Sequence, residues 1–197
     1  IAGRGGPVRT LVGGRGPGEA GVAPVEEGFI VAIADARPVA AECGVGDADY
    51  LQAMQAEPTV VALGEDLGRG GVFGQYRGLQ QEFGDQRVID TPISEANIMG
   101  AAVGMALAGL RPVVEMRVID FALCAMDEIV NQAAKNRFMF GGQGRVPLVA
   151  RLPIGIWSAS AAQHSQSLEA WFAHLPGLVV ATPATPAAPT AAPAAEE

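Results

Sequence analysis

The chain has 197 residues, of which 49% are hydrophobic, so it is long enough to bury one ordinary core. Its formal net charge is −8 and its basic residues are spread singly along the chain, which predicts neither a nucleic-acid surface nor a polybasic membrane patch. The longest apolar run, 98–110, is much shorter than the ~20 residues of a membrane span and predicts a buried helix.

Composition divides the chain into three parts. Residues 1–46 are rich in Gly, Pro and Arg and are predicted to be mostly disordered. Residues 47–183 form the predicted folded domain, and 184–197 are an Ala/Pro-rich tail of low complexity.

Strands and helices alternate along the predicted domain. In chain order we predict a helix at 49–56, a strand at 59–63, a helix at 75–83, a strand at 88–90, a helix at 94–109, a strand at 112–118, a helix at 121–138, a strand at 147–152, a helix at 167–175 and a strand at 178–182. Apolar strands separated by helices predict an α/β fold, a mainly parallel sheet with helices on both faces. The glycine-rich run 68–74 lacks the order of a phosphate-binding loop and is predicted to be a turn.

Glu95 is the most informative residue of the predicted domain. Ligands of such sheets bind beyond the carboxyl ends of the strands, and 91–95 lies there with 64–65, 119–121 and 154–164. Gly100 and Gly104 follow on the same predicted helix and permit a close helix contact. The residues alone leave two interpretations open: Glu95 binds a ligand, or it favours the helix dipole next to a Ser94 cap.

Five segments carry a family resemblance: LGED at 63–66, RVIDTPISE at 87–95, ALAGLRPVVE at 106–115, IVNQAAK at 129–135 and QHSQSLEAWF at 163–172. They closely resemble the beta subunit of the E1 component of 2-oxo acid dehydrogenase complexes, of the pyruvate, branched-chain and acetoin dehydrogenase type. The part covered resembles the pyrimidine-binding, transketolase-like domain of this family, which has the thiamine-diphosphate-binding fold. The implied activity is thiamine-diphosphate-dependent oxidative decarboxylation of a 2-oxo acid, with acyl transfer to lipoyl.

The resemblance implies roles for individual residues. Glu95 is similar to the carboxyl group that bonds the aminopyrimidine of the cofactor, a role that suits a buried acid. His164 matches a histidine that reaches the reaction centre and is implied to be catalytic. Ile93 and Phe121 match positions that pack around the pyrimidine ring, although either is also compatible with an ordinary core. Glu65 is implied to belong to an acidic path between paired active sites; alone it is an isolated carboxylate.

Other residues fit the family less well. Arg117 stands where the family usually carries an apolar or amide side chain. His174 lacks any family context and is expected at the surface. The two cysteines, Cys43 and Cys124, form no metal-type pair, which predicts a reducing compartment.

Missing motifs limit the resemblance. No GDG motif with downstream paired asparagines is present, so an alpha subunit is expected to supply the diphosphate and Mg²⁺ site, and no metal ligand is expected in this chain. The implied partners are that alpha subunit, a second beta subunit in an α2β2 assembly, and the lipoyl domain of E2. The family's second domain does not follow the strand at 178–182, which indicates a truncated chain.

Three functions therefore remain open: the E1 beta subunit, an acetoin dehydrogenase beta subunit, and a non-catalytic truncated domain that only mediates subunit association. The expected location is the cytoplasm of a bacterium, or the mitochondrial matrix of a eukaryote.

Overall fold

The computed structural model describes residues 11–12, 28–33, 47–72, 74–153 and 160–182. Within these residues the strands form one seven-stranded sheet with the order β1-β7-β2-β6-β5-β3-β4. The strands are β1 (Leu11–Val12), β2 (Gly28–Ile33), β3 (Val60–Gly64), β4 (Val88–Asp90), β5 (Arg111–Glu115), β6 (Val149–Pro153) and β7 (Leu178–Thr182).

The sheet is mainly parallel, as the sequence predicts. Strands β4, β3, β5 and β6 are parallel neighbours, and β1 is parallel to β7. The exception is β2, which runs antiparallel to both β6 and β7. It contains the run FIVAI at 29–33, whose β-branched and aromatic residues favour a strand.

Strands β1 and β2 lie in the segment 1–46, for which the sequence analysis predicted mostly disorder. These two short stretches are strands of the sheet, which were not predicted; disorder over most of the segment stays a prediction. The rest of that segment and the predicted tail at 184–197 lie outside the described residues, and the three-part division of the chain remains a prediction.

The helices are α1 (Asp47–Ala56), α2 (Leu79–Phe83), α3 (Glu95–Leu107), α4 (Ala134–Met139) and α5 (Glu169–Ala173). Short 3₁₀ helices span Leu67–Arg69, Ile119–Ala125 and Ala162–His164, and a π-helix spans Glu128–Ala133. The first 3₁₀ helix and its following glycines form the turn predicted at 68–74. No helix in the described part of the chain is long and apolar enough to cross a membrane.

The continuous helix predicted at 121–138 is wrong. The chain instead passes through a 3₁₀ helix, a π-helix and α4. Asp127 accepts hydrogen bonds from Asn131 Nδ2 at 2.6 Å and from Gln132 Nε2 at 3.2 Å. The π-helix is a single short turn within a helical segment, the form in which π-helices usually occur.

Two buried clusters lie on opposite faces of the sheet, because successive strand residues point to opposite sides. On β5, Val113 belongs to one cluster and Val114 to the other. The larger cluster joins α3 and the 119–134 segment to the sheet, through side chains that include Met99, Ile119 and Ile129. The smaller cluster joins α1, Tyr76 and Leu79 to the other face. The predicted α/β class with helices on both faces is confirmed.

Candidate active site

The carboxyl ends of β3, β4 and β5 form one tightly packed edge. Gly64 is paired with Asp90 on one side and with Glu115 on the other. Thr91 donates its backbone N–H to the Gly64 carbonyl oxygen at 3.0 Å. A Cβ atom added at Gly64 would lie 2.6 Å from the carbonyl oxygen of Glu115, so only glycine fits there. This edge positions the residues that follow each strand.

Glu65 and Glu95 lie near enough at this edge to interact electrostatically. Glu95 is half-buried and is the first residue of α3. Burial raises the pKa of the Glu65 carboxyl, the nearby Glu95 carboxylate raises that pKa further, and the Arg117 guanidinium opposes both effects. Two acids and one base thus interact where a ligand of this fold is expected.

The alternative interpretation of Glu95 combined two features, a favourable helix dipole and a cap by Ser94. The structure lacks the second. Ser94 has extended backbone, with φ −169°, and its side chain makes no capping hydrogen bond in the described structure. The helix dipole still favours a carboxylate at this position, but no Ser94 cap accompanies it.

A second pair of contacts surrounds His164. The rings of Phe121 and His164 meet edge to face, with centroids 5.3 Å apart and an angle of 85° between their planes. Gln166 Nε2 donates to Asp120 Oδ1 at 2.6 Å. The structure therefore brings Phe121 and His164 together, as expected for residues at one site, and adds Asp120 and Gln166, which the sequence analysis did not single out.

Ile93 differs from an ordinary core residue. Its side chain is 75% exposed, although it lies two residues before the half-buried Glu95. The hydroxyl oxygens of Thr91 and Ser165 are buried and bond no described residue. An exposed apolar side chain at this edge is a feature that a bound ligand would cover.

The remaining predicted positions are less informative. His174 is exposed, as expected, and its Nδ1 lies 3.5 Å from the carbonyl oxygen of Ala170. Residues 154–159, predicted to line the edge, lie outside the described residues. In the part of the chain that the structure describes, no group of three or more His, Cys, Asp or Glu side chains is arranged to hold a metal ion.

A buried polar cluster lies behind the edge and was missed from the sequence. Glu115 accepts hydrogen bonds from Arg151 Nη1 at 2.6 Å, and from Gln75 Nε2 and the Tyr76 hydroxyl at 3.0 Å each. Burial raises the pKa of the Glu115 carboxyl to about 7, against the opposing effect of Arg151. Glu115 and Arg151 are opposite each other on β5 and β6. The sequence did contain a clue to this cluster: one predicted apolar strand carries an acid, Glu115, and another carries a base, Arg151.

Fold and site together define a class: an α/β domain with a partly buried acid pair at the carboxyl edge of a mainly parallel sheet. A family model described as "Transketolase, pyrimidine binding domain" matches residues 47–194. The chain belongs to this family.

Relatives agree with this assignment. The chain is 47% identical over 131 residues to "Pyruvate dehydrogenase E1 component subunit beta-1, mitochondrial" of Oryza sativa subsp. japonica, covering 66% of this chain and 35% of the relative. It is 45% identical over 131 residues to the corresponding mitochondrial beta subunit of Bos taurus, covering 66% and 36%. It is also 45% identical over 143 residues to "Acetoin:2,6-dichlorophenolindophenol oxidoreductase subunit beta" of Cupriavidus necator, covering 67% and 42%.

The resemblance to E1 beta subunits is therefore confirmed. The chain spans between 35% and 42% of the length of these three relatives.

Proposed function

We propose that the chain provides the beta-subunit half of a thiamine-diphosphate-dependent active site. The reaction is oxidative decarboxylation of a 2-oxo acid such as pyruvate, with acyl transfer to lipoyl. The observation that carries this proposal is the half-buried Glu95 at the start of α3. It occurs in a chain that is 47% identical to a pyruvate dehydrogenase beta subunit over the matched region.

The residues at the edge fit the aminopyrimidine of the cofactor. Ile93 offers an exposed apolar surface for a flat ring, and the half-buried Glu95 offers a carboxyl group for a ring nitrogen. Thiamine diphosphate, when bound, would supply a nucleophilic carbon for the reaction. The task of Glu95 is to share a proton with the ring nitrogen, an acid–base role that proteins often give to a carboxyl group.

Glu65 and His164 have separate tasks in this proposal. Because the pKa of Glu65 is raised, this residue keeps its proton to higher pH than an ordinary glutamate and can serve as a proton store beside Glu95. His164 holds or donates a proton near the substrate, a task for which proteins most often use an imidazole ring. Phe121 limits the orientation of the His164 ring through their edge contact.

Partners complete the proposed site. An alpha subunit supplies the diphosphate and Mg²⁺ site, for which this sequence has no GDG motif. A second beta subunit completes an α2β2 assembly, and the lipoyl domain of E2 receives the acyl group. Support comes from the exposed side chains of Phe138, Met139 and Phe140 and from Gly104, where an added Cβ would meet no described atom within 4 Å. We place the protein in the cytoplasm of a bacterium or in the mitochondrial matrix.

Co-expression with a candidate alpha subunit tests the proposal. The complex is isolated by size exclusion, and decarboxylation of pyruvate is measured with and without thiamine diphosphate. We expect Glu95→Gln to lower kcat by at least about 100-fold while the complex still forms. The matched control is Glu82→Gln, since Glu82 is exposed and bonds only Gln55 among the described side-chain hydrogen bonds. Full activity of the Glu95 variant would refute the assigned role.

The acetoin reaction is the second candidate, favoured by the 45% identity to the acetoin oxidoreductase beta subunit. The same complex is assayed with acetoin in place of pyruvate. Turnover of acetoin alone selects this candidate. The third outcome is a stable complex that turns over neither substrate and that forms equally well with Glu95→Gln. It would select the role of a non-catalytic association domain.

A further inference from the structure

Two neighbouring residues on one segment contact two residues of another segment 43 to 46 positions away. Asp120 accepts a hydrogen bond from Gln166, and Phe121 packs against the ring of His164. Asp120 and Phe121 belong to the 3₁₀ helix Ile119–Ala125, while His164 ends the 3₁₀ turn Ala162–His164. Because Asp120 and Phe121 are adjacent, the two contacts hold both the last residue of the turn and the chain two residues beyond it.

The two segments are anchored very differently. The 3₁₀ helix Ile119–Ala125 is fixed in the core, since Ile119, Ala122 and Ala125 are fully buried and Asp120 is 7% exposed. The turn Ala162–His164 has no buried residue of its own. It is preceded by Ala161 with φ +69°, a left-handed conformation that costs energy for a residue with a Cβ. Contacts from outside the turn must therefore hold it in place.

The hydrogen bond between Asp120 and Gln166 has a fixed direction. An ionised carboxylate only accepts and the amide nitrogen of Gln166 only donates, so a flipped Gln166 amide would face Asp120 with its oxygen and repel it. A bond with a charged acceptor is shorter and stronger than one between neutral groups. The Asp120–Gln166 bond thus orients the chain two residues beyond His164.

We propose that Asp120 is a positioning residue for His164, acting through Gln166 while Phe121 limits the histidine ring. That this matters for turnover rests on the proposed function, in which His164 faces the substrate. The positioning itself is a property of this chain and is measurable without any reaction.

Reversing the polarity of the pair tests the positioning directly. Gln166→Glu places two carboxylates against each other, Gln166→Leu removes the donor, and Asp120→Asn retains an acceptor oxygen. The double variant Asp120→Asn/Gln166→Glu restores the bond in the opposite direction. Asp85→Asn, at an exposed site, is the control, and thermal unfolding confirms that each variant is folded.

The chain carries two histidines, His164 and His174, so NMR resolves their ring signals. We expect a nuclear Overhauser contact between the His164 and Phe121 rings in the wild-type chain, lost in Gln166→Glu and Gln166→Leu and recovered in the double variant. The His174 signals should stay unchanged throughout. If a folded Gln166→Leu variant keeps the contact and the His164 shifts, the positioning proposal is wrong.

Kinetics in the complex with an alpha subunit form the second arm. A displacement of the order of 1 Å can cost about 100-fold in rate, so we expect Gln166→Glu to lower kcat by about 10- to 100-fold with a smaller change in KM. The double variant should recover most of this loss. A lost ring contact with unchanged kcat overturns the catalytic meaning and leaves the positioning intact. Absence of turnover in the wild-type complex refutes the proposed function, and the NMR result still decides the positioning.

Discussion

At the scale of single residues, Glu115 shows how burial outweighs a nearby opposite charge. The carboxyl has three donors, yet burial raises its pKa to about 7. Because the folded-state pKa is higher than the ordinary value of 4.5, the fold favours the protonated form. The contribution of Glu115 to the free energy of unfolding is therefore fully present below pH 4.5 and is lost as the pH rises through about 7.

This pKa gives a prediction for stability. Between pH 4.5 and pH 8 the free energy of unfolding of the wild-type chain should fall by about 3 kcal/mol more than that of Glu115→Gln, since one pKa unit corresponds to about 1.4 kcal/mol. Urea unfolding at several pH values measures the difference. Glu82→Gln should behave like the wild-type chain. Parallel pH profiles for the wild-type chain and Glu115→Gln would contradict the prediction.

A second prediction concerns the titration of Glu65. Its pKa is raised by burial and by Glu95, and lowered by Arg117. We therefore expect Glu95→Gln to lower the pKa of Glu65 and Arg117→Ala to raise it. The carboxyl carbon shift of Glu65, followed by NMR against pH, reports both changes. Asp66→Asn serves as a reference, because Asp66 has the smallest of the effects that raise the pKa of Glu65. If none of the three substitutions changes the pKa of Glu65, the two acids do not interact.

At the scale of elements, strongly patterned segments were predictable and irregular ones were not. The strands at 88–90 and 178–182 were predicted within their observed bounds, because each is a short apolar run between clear turns. The prediction of one continuous helix at 121–138 was wrong because apolar spacing does not distinguish an α-helix from a π-helix. Strand β2 was missed because its six residues lie in a segment rich in glycine and proline, a composition that predicts disorder.

The candidate site divides in the same way. Glu95, Glu65, His164, Ile93 and Phe121 came from the family resemblance, and the structure brings together Glu65 with Glu95 and Phe121 with His164. Their roles remain predictions. Asp120 and Gln166 were not predictable, because a hydrogen bond between residues 46 positions apart leaves no local pattern in the sequence.

A third prediction compares two glycines at the ends of elements. Gly109 and Gly177 have similar positive φ angles, +98° and +96°. An added Cβ at Gly109 meets nothing within 4 Å, whereas one at Gly177 collides with the backbone carbonyl of Ala134 at the start of α4. Gly109→Ala should cost about 1 kcal/mol from backbone strain alone, and Gly177→Ala about 3 kcal/mol or more. Equal losses in urea unfolding would refute the contact between α4 and the turn before β7.

At the scale of the whole molecule, three consecutive exposed apolar side chains lie at the C-terminal end of α4. Phe138, Met139 and Phe140 are 84%, 71% and 61% exposed, and Phe140 borders an open groove of about 460 Å³. Large exposed apolar patches on soluble proteins are typical of interaction sites. In the proposed assembly these residues are expected to be covered by another subunit.

A fourth prediction follows for assembly. The double variant Phe138→Ser/Phe140→Ser should weaken the complex with the alpha subunit at least about 10-fold in Kd, because these side chains would lose their apolar contacts. Its free energy of unfolding should change by less than about 0.5 kcal/mol, because both are already exposed. Trp171→Ser, on α5 and 51% exposed, is the comparison. An unchanged Kd in analytical ultracentrifugation would place the subunit contact elsewhere.

At Gly64 the strand ends are held together by backbone atoms, whereas the proposed site residues are side chains that follow the strands. Backbone atoms of Gly64, Thr91 and Glu115 hold the three strand ends together, so the residues beyond them can change identity without moving. Any side chain at position 64 would push the ends of β3 and β5 apart, and so displace Glu65 and the segment after Glu115 together.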